Sequence, residues 1–74
     1  MFLTYTGATV VYTSGVEVYE THSESIDEVG DSIQRSLNDL GVKALVTNLD
    51  GGDVNFHILT PSNIAYIQLH EVRL

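Results

Sequence analysis

A single helical repeat of apolar residues, within residues 23–41, constrains the fold of this chain more than any other feature. The apolar side chains recur at steps of three and four: Ile26, Val29, Ile33, Leu37 and Leu40. Ser25 and Glu28 have the S-x-x-E spacing of a capping box, in which each side chain satisfies a free backbone N–H of the first turn. Gly41 follows the repeat, where a left-handed cap is favoured. The segment therefore predicts one amphipathic helix that begins after Ser25.

The chain before this helix reads as strands. Residues 2–22 alternate in polarity and are rich in β-branched and aromatic residues. A Ser–Gly pair ending at Gly15 predicts a hairpin with a two-residue turn. The register of this hairpin puts Val10 opposite Tyr19. Gly7 is either a bulge or a second tight turn. Residues 2–13 are therefore expected to form one bent strand or two short strands.

Three more strands are predicted after the helix, the first starting at Val42. The Asp-Gly-Gly-Asp sequence at 50–53 is a hairpin signal, because adjacent glycines accept the positive φ values of a type I′ turn. Pro61 ends the next strand, since proline cannot continue a ladder of hydrogen bonds. The resulting register pairs apolar residues three times in succession: Ile58 with Ala65, Phe56 with Ile67, and Val54 with Leu69.

The predicted fold class is α+β. Residues 1–74 form a single two-layer domain, with one amphipathic helix packed on a mainly antiparallel sheet of five to six strands, in the order β-β-(β)-α-β-β-β. This order is similar to the β-grasp arrangement of ubiquitin-like modules. The chain ends in Val72-Arg73-Leu74 and not in the Gly-Gly tail that such carriers use for conjugation, so the resemblance implies no carrier function.

The sheet is expected to keep one face free for a partner. Five strands span roughly 24 Å, whereas one helix is about 10–12 Å across. The face away from the helix is expected to carry tyrosine, which is enriched at interfaces, in place of lysine and glutamate. The predicted protein-interface residues are Val10, Tyr12, Tyr19, His57, Tyr66, Gln68 and His70. The alternative is a solvated sheet with scattered tyrosines.

The charge balance limits the partners. Ten acidic residues against three basic ones give a net charge of −7, which argues against binding nucleic acid or an anionic membrane. Six acids form a predicted acidic patch: Glu17, Glu20, Glu24, Asp27, Glu28 and Asp31. Several lie near the helix start and favour its dipole. The patch is interpreted as a landing site for a basic protein surface. The alternative is that the acidity only maintains solubility.

No segment carries a recognisable catalytic or metal-binding motif. The sequence has no nucleophile-elbow, P-loop or glycine-rich dinucleotide pattern. One conceivable zinc or acid–base cluster combines Asp53 with the histidines, and one conceivable calcium group lies in the glycine turn. The zinc or acid–base cluster would consist of His22, His57, His70 and Asp53, and the calcium group would consist of Asp50, Asp53 and Asn55. Neither has a recognised ligand spacing, so we predict no enzyme activity, no cofactor and no metal.

The expected location is the cytoplasm, or the host cytoplasm if the protein is viral. The sequence contains no cysteine, which fits a reducing compartment. The first fifteen residues lack a basic segment and an uninterrupted apolar run, so neither a signal peptide nor a membrane span is expected.

These features predict a small acidic, non-enzymatic protein-interaction module. It would act through its open sheet face and its acidic helix start, form a homo-oligomer, and suit a phage or mobile element as an inhibitor of a host protein. One alternative is a ligand-binding or sequestering homo-oligomer with a pocket between subunits, lined by His57, His70 and Tyr66. Another is a structural or accessory subunit of a virion-like assembly.

Overall fold

One helix packs on one face of a five-stranded antiparallel sheet in the computed structural model, which describes residues 4–73. The elements are β1 (Thr4–Tyr12), β2 (Glu17–His22), α1 (Ile26–Asp39), β3 (Ala44–Asn48), a short 3₁₀ turn (Asp50–Gly52), β4 (Val54–Ile58) and β5 (Ile64–Arg73). The strands are arranged β2-β1-β5-β4-β3. The predicted α+β class is confirmed. Residues 1–3 and 74, which the predicted domain includes, lie outside the described residues.

The helix forms as its sequence predicts. Its N-cap is Ser25, whose hydroxyl oxygen accepts a hydrogen bond from the backbone N–H of Glu28 at 3.3 Å. Gly41 follows the C-cap with φ of 71°, the left-handed conformation that glycine adopts without strain. The apolar stripe ends one turn earlier than predicted, because Leu37 is buried whereas Leu40 is 77% exposed at the C-cap.

The core lies between α1 and the three central strands. Its buried side chains are Ala8, Val29, Leu37, Phe56, Ile67 and Leu69. Gly30 brings the helix close to the sheet, since a Cβ built there would lie 3.8 Å from Phe56 Cζ. The buried hydroxyl of Thr6 donates a 2.8 Å hydrogen bond to the carbonyl oxygen of Glu24, which ties β1 to the segment that starts the helix.

The second half of the sheet has the predicted register over most of its length. Phe56 is opposite Ile67 and Val54 is opposite Leu69, as predicted. The described ladder ends before Ala65, where a bulge in β5 interrupts the regular pairing with β1. The predicted pairing of Ile58 with Ala65 has the same register but lies one step beyond the end of this ladder.

The turn between β3 and β4 is one residue longer than the predicted two-residue turn. The backbone N–H of Leu49 donates to the carbonyl oxygen of Asp53 at 2.8 Å, which leaves a three-residue loop between them. Both Gly51 and Gly52 have φ of 86°, so the loop does use two adjacent glycines at positive φ.

The first hairpin corrects the predicted register. The backbone N–H of Tyr12 donates to the carbonyl oxygen of Val16 at 2.9 Å, closing a three-residue loop in which Gly15 has φ of 91°. This loop moves the pairing by one residue, so Tyr19 is opposite Thr9 and not opposite Val10. A shift of one residue transfers side chains to the other face of a sheet.

Two predicted interface residues therefore belong to the opposite face. Val10 packs against the core beneath α1, and its predicted place on the open face is wrong. Tyr12 follows on the same side by strand alternation and pairs with Ile64, which also packs against the core. Within the described residues β1 is one continuous strand, which decides between the one-strand and two-strand predictions.

Candidate functional site

The sheet face directed away from α1 is the candidate site, and we refer to it as the open face. Strand alternation and the observed register assign it fifteen residues. They are Tyr5, Gly7, Thr9 and Val11 of β1; Glu17, Tyr19 and Thr21 of β2; Leu45 and Thr47 of β3; Asn55 and His57 of β4; and Tyr66, Gln68, His70 and Val72 of β5. Five of the seven predicted interface residues lie on it: Tyr19, His57, Tyr66, Gln68 and His70.

Two rows of side chains cross all five strands of the open face. One row is uncharged and polar, and consists of Tyr19, Thr9, Gln68, Asn55 and Thr47. The next row consists of Glu17, Val11, Tyr66, His57 and Leu45. Neighbouring residues in such rows are in contact distance across the strands. The rows form a continuous surface of aromatic, amide and hydroxyl groups.

Gly7 lets two side chains meet across β1. Tyr19 and His70 come from the strands on either side of it, and their ring centroids are 5.9 Å apart with an interplanar angle of 31°. A Cβ at Gly7 would lie 2.5 Å from both the Tyr19 hydroxyl oxygen and His70 Nε2. Any other residue at this position would therefore push the two rings away from the strand.

A second aromatic pair lies further along the open face. His57 and Tyr66 are directly opposite each other on β4 and β5, with ring centroids 5.9 Å apart and an interplanar angle of 38°. His57 is exposed and Tyr66 is half-buried. The sequence register predicted this pair, and the structure confirms that the two residues are opposite each other.

The environment of Tyr19 differs from that of a freely solvated phenol. Its side chain remains 54% exposed, but partial loss of solvent around the ring raises the pKa of Tyr19 above its ordinary value. The nearby phenol of Tyr5 raises the same pKa further. Tyr19 therefore presents a neutral hydroxyl, able to donate a hydrogen bond, across the physiological pH range.

The predicted acidic patch is divided by the fold. Glu17 lies on the open face, at its β2 edge. Glu24 and Glu28 line a shallow groove beside His22 on the helix side of the sheet, where Glu20 Oε2 is 3.6 Å from His22 Nε2. The remaining two acids, Asp27 and Asp31, line a different groove of about 210 Å³ that lies between α1 and strands β3 and β4. The six acids are thus divided between the open face and two flanks of the helix side, and they do not form one surface.

The three histidines do not come together. His22 lies on the helix side of β2, because it is opposite Thr6, whereas His57 and His70 lie on the open face. Within residues 4–73, no group of three or more His, Asp or Glu side chains is arranged to hold a metal ion. The same residues contain no helix that is both long enough and apolar enough to cross a membrane.

The sequence prediction missed several members of the open face. Thr9 and Val11 take the places predicted for Val10 and Tyr12, as a consequence of the corrected hairpin register. Gly7, predicted to be a bulge or a tight turn, lies inside the continuous strand β1. A glycine inside a strand often marks the close approach of another group, which is the signal that could have identified the contact above it.

Comparisons with known proteins do not place this chain in a family. No family model matches the sequence, no curated protein matches it significantly, and no solved structure matches the fold significantly.

Proposed function

We propose that this protein is a non-enzymatic interaction module that binds another protein through the open face. One observation carries the proposal: among the described residues, Glu17 is the only Asp, Glu, Lys or Arg on that face. The whole chain contains ten acidic and three basic residues. A face that met only water would be expected to hold a share of them.

The composition of the open face supports a protein partner. The cores of protein interfaces are depleted in charge and enriched in aromatic residues. Tyrosine contributes rigid apolar area and a hydroxyl at a small cost in side-chain entropy. Tyr66 on the central strand β5 and Tyr19 on the edge strand β2 each contact a histidine ring and supply such groups.

The acids on the helix side are proposed to act at longer range. A net charge of −7 attracts a basic surface and raises the rate of encounter, an effect that salt reduces. The narrower proposal, an inhibitor of a host protein carried by a phage or mobile element, is supported only by the small size and the acidity of the chain.

Site-specific crosslinking tests this proposal. A photoreactive amino acid is introduced at Tyr66 on the open face, and at exposed Ser36 on α1 as the matched control, in cells that express the protein. We expect Tyr66 to capture one defined protein and Ser36 to capture none above background. Excess unlabelled protein should abolish the capture. Equal capture from both positions, or none from Tyr66, would contradict the proposal.

Ligand binding is a second candidate, because the same two aromatic pairs could contact a small polar-aromatic molecule. The grooves on the described surface are open, with volumes of about 210 to 470 Å³. A thermal-shift screen with nucleotides and metal ions distinguishes the two functions. A ligand at 100 times its dissociation constant stabilises the folded state by about 2.7 kcal/mol, and a shift that Tyr66→Ser removes would favour this candidate.

A further inference from the structure

Strand β3 is an edge of the sheet, and its free side carries a regular set of backbone groups. The N–H of Leu59 donates to the oxygen of Lys43, and the N–H of Leu49 donates to the oxygen of Asp53, each at 2.8 Å. Antiparallel pairs alternate between bonded and non-bonded, so residues 45 and 47 bond to β4. The N–H and C=O groups of residues 44, 46 and 48 therefore point outward, away from the rest of the described sheet.

This edge lacks the features that usually block pairing. Residues 44–48 contain no charged side chain and no proline. Leu45 is 56% exposed on the open face and Val46 is 43% exposed on the helix side. The other edge, β2, carries Glu17 and Glu20, charges of the kind that protect an edge strand.

We propose that β3 pairs antiparallel with β3 of a second copy, about a twofold axis at Val46. In this register Val46 meets Val46, and Ala44 meets Asn48 of the second copy. Each of these is a hydrogen-bonded pair, because the outward groups are those of residues 44, 46 and 48. The two sheets then join into one sheet of ten strands.

A second copy fits this edge better than a basic partner does. The pairing brings no like charges opposite each other: Leu45 meets Thr47 of the second copy, and Lys43 meets Leu49, one residue before the acidic Asp50. A basic protein would gain nothing from an uncharged apolar strand. The acids of β2 lie at the opposite edge of the sheet, whereas Asp27 and Asp31 of α1 line the groove beside Val46 on the helix side and are the charges whose repulsion salt must screen.

The dimer is expected to be weak. A standard interface buries about 800 Å² on each partner, which is a large share of the 5113 Å² surface of the described chain. One short strand edge buries less than this. We therefore expect a dissociation constant on the order of 100 μM, which falls as salt screens the repulsion between two copies of charge −7.

Sedimentation equilibrium, over protein concentrations up to about 1 mM, tests the proposal with two matched variants. Val46→Lys puts a charge at the axis, whereas Val16→Lys makes the same change at a 55% exposed valine in the first hairpin loop. We expect Val46→Lys to raise the dissociation constant at least tenfold and Val16→Lys to change it by less than threefold. A wild type that stays monomeric, or a Val46→Lys variant that associates as the wild type does, would overturn the proposal.

Amide hydrogen exchange identifies the surface directly. Raising the protein concentration should increase the protection of the amides at 44, 46 and 48, and leave those at 45 and 47 unchanged. Protection that changes elsewhere, or not at all, would overturn the pairing. The inference does not depend on the proposed function, because the open face stays free: crosslinking from Tyr66 should survive Val46→Lys, so each idea can fail alone.

Discussion

Replacing Gly7 with alanine should rearrange the open face while leaving the fold almost as stable as before. Gly7 is not at positive φ, so its backbone conformation suits alanine, and glycine inside a strand costs about 0.5–1 kcal/mol relative to alanine. Against this gain, the new Cβ would lie 2.5 Å from the Tyr19 hydroxyl oxygen and from His70 Nε2. Both atoms must retreat by nearly 1 Å to reach ordinary contact at 3.4 Å.

The cost of that retreat is small, because only the ends of two side chains move. Tyr19 is half exposed and can rotate into solvent, and the contact between the two rings is worth about 0.5–1.5 kcal/mol. The gain and the loss nearly cancel, so the free energy of unfolding should change by no more than about 1 kcal/mol, or about 4–8 °C in Tm.

Chemical denaturation and proton NMR measure the two effects separately. We expect Gly7→Ala to remove the nuclear Overhauser effects between the Tyr19 and His70 rings and to shift the denaturation midpoint only slightly. In a His70→Ala background the same substitution should become stabilising, because one of the two obstructing rings is gone and the other, Tyr19, can rotate into solvent. A loss above about 3 kcal/mol in Gly7→Ala, or rings that remain in contact, would refute the reasoning.

Three further predictions concern the helix, the phenol and the edge strand. Gly30→Ala should stabilise the fold by about 1 kcal/mol, since the added methyl lies inside a helix and meets only ordinary contacts near 3.8 Å. Gly41→Ala should destabilise the fold by about 1–2 kcal/mol, because Gly41 has φ of 71°. Urea denaturation measures both changes, and changes of the same sign would contradict the argument. Tyr19→Phe should remove a component of the tyrosinate absorbance that titrates above the ordinary pKa of tyrosine, because the pKa of Tyr19 is raised. Because the pKa of Tyr19 is raised in the folded state, the contribution of Tyr19 to the free energy of unfolding is complete below the unfolded pKa of about 10. This contribution is lost as the pH rises through the folded-state pKa. Val46→Pro should leave the monomer folded, because the N–H of Val46 points outward from the sheet, whereas Thr47→Pro should destabilise the monomer by removing a hydrogen bond to β4. Thermal unfolding followed by circular dichroism compares the two variants. A less stable Val46→Pro variant would show that the assignment of inward and outward N–H groups on β3 is wrong.

Local sequence signals were sufficient for the helix and for the β4–β5 ladder. Ser25 and Gly41 mark the helix ends with cap chemistry that depends only on neighbouring residues. In β4 and β5, apolar residues recur on one face of both strands, so only one register buries Phe56 against Ile67. The open-face positions of His57, Tyr66, Gln68 and His70 followed from that register.

The first hairpin could not be placed in the same way. Val10 and Val11 are both apolar, and so are Val16 and Val18, so the valines do not decide which residues of β1 face the core. The loop decides the register, and a Ser–Gly pair is compatible with a two-residue turn as well as with the three-residue loop that forms. The choice between them depends on tertiary contacts, namely the packing of Ala8 and Val10 beneath the helix.

Charge does not resolve the ambiguity between the two registers of this hairpin. With the observed register, the face opposite the helix holds one acid, Glu17, while Glu20 falls on the helix side. The predicted register, which pairs Val11 with Val18, also leaves Glu17 on the face opposite the helix and Glu20 on the helix side, so both registers give each face the same acids. In a chain of net charge −7, a sheet face with a single charge at its edge is not what solubility alone favours, because charged side chains on exposed strands raise solubility at little cost. A mutation that tests the open face should therefore add a charge near its centre, at Thr9 or Gln68. The same mutation at Val10 would disturb the core instead.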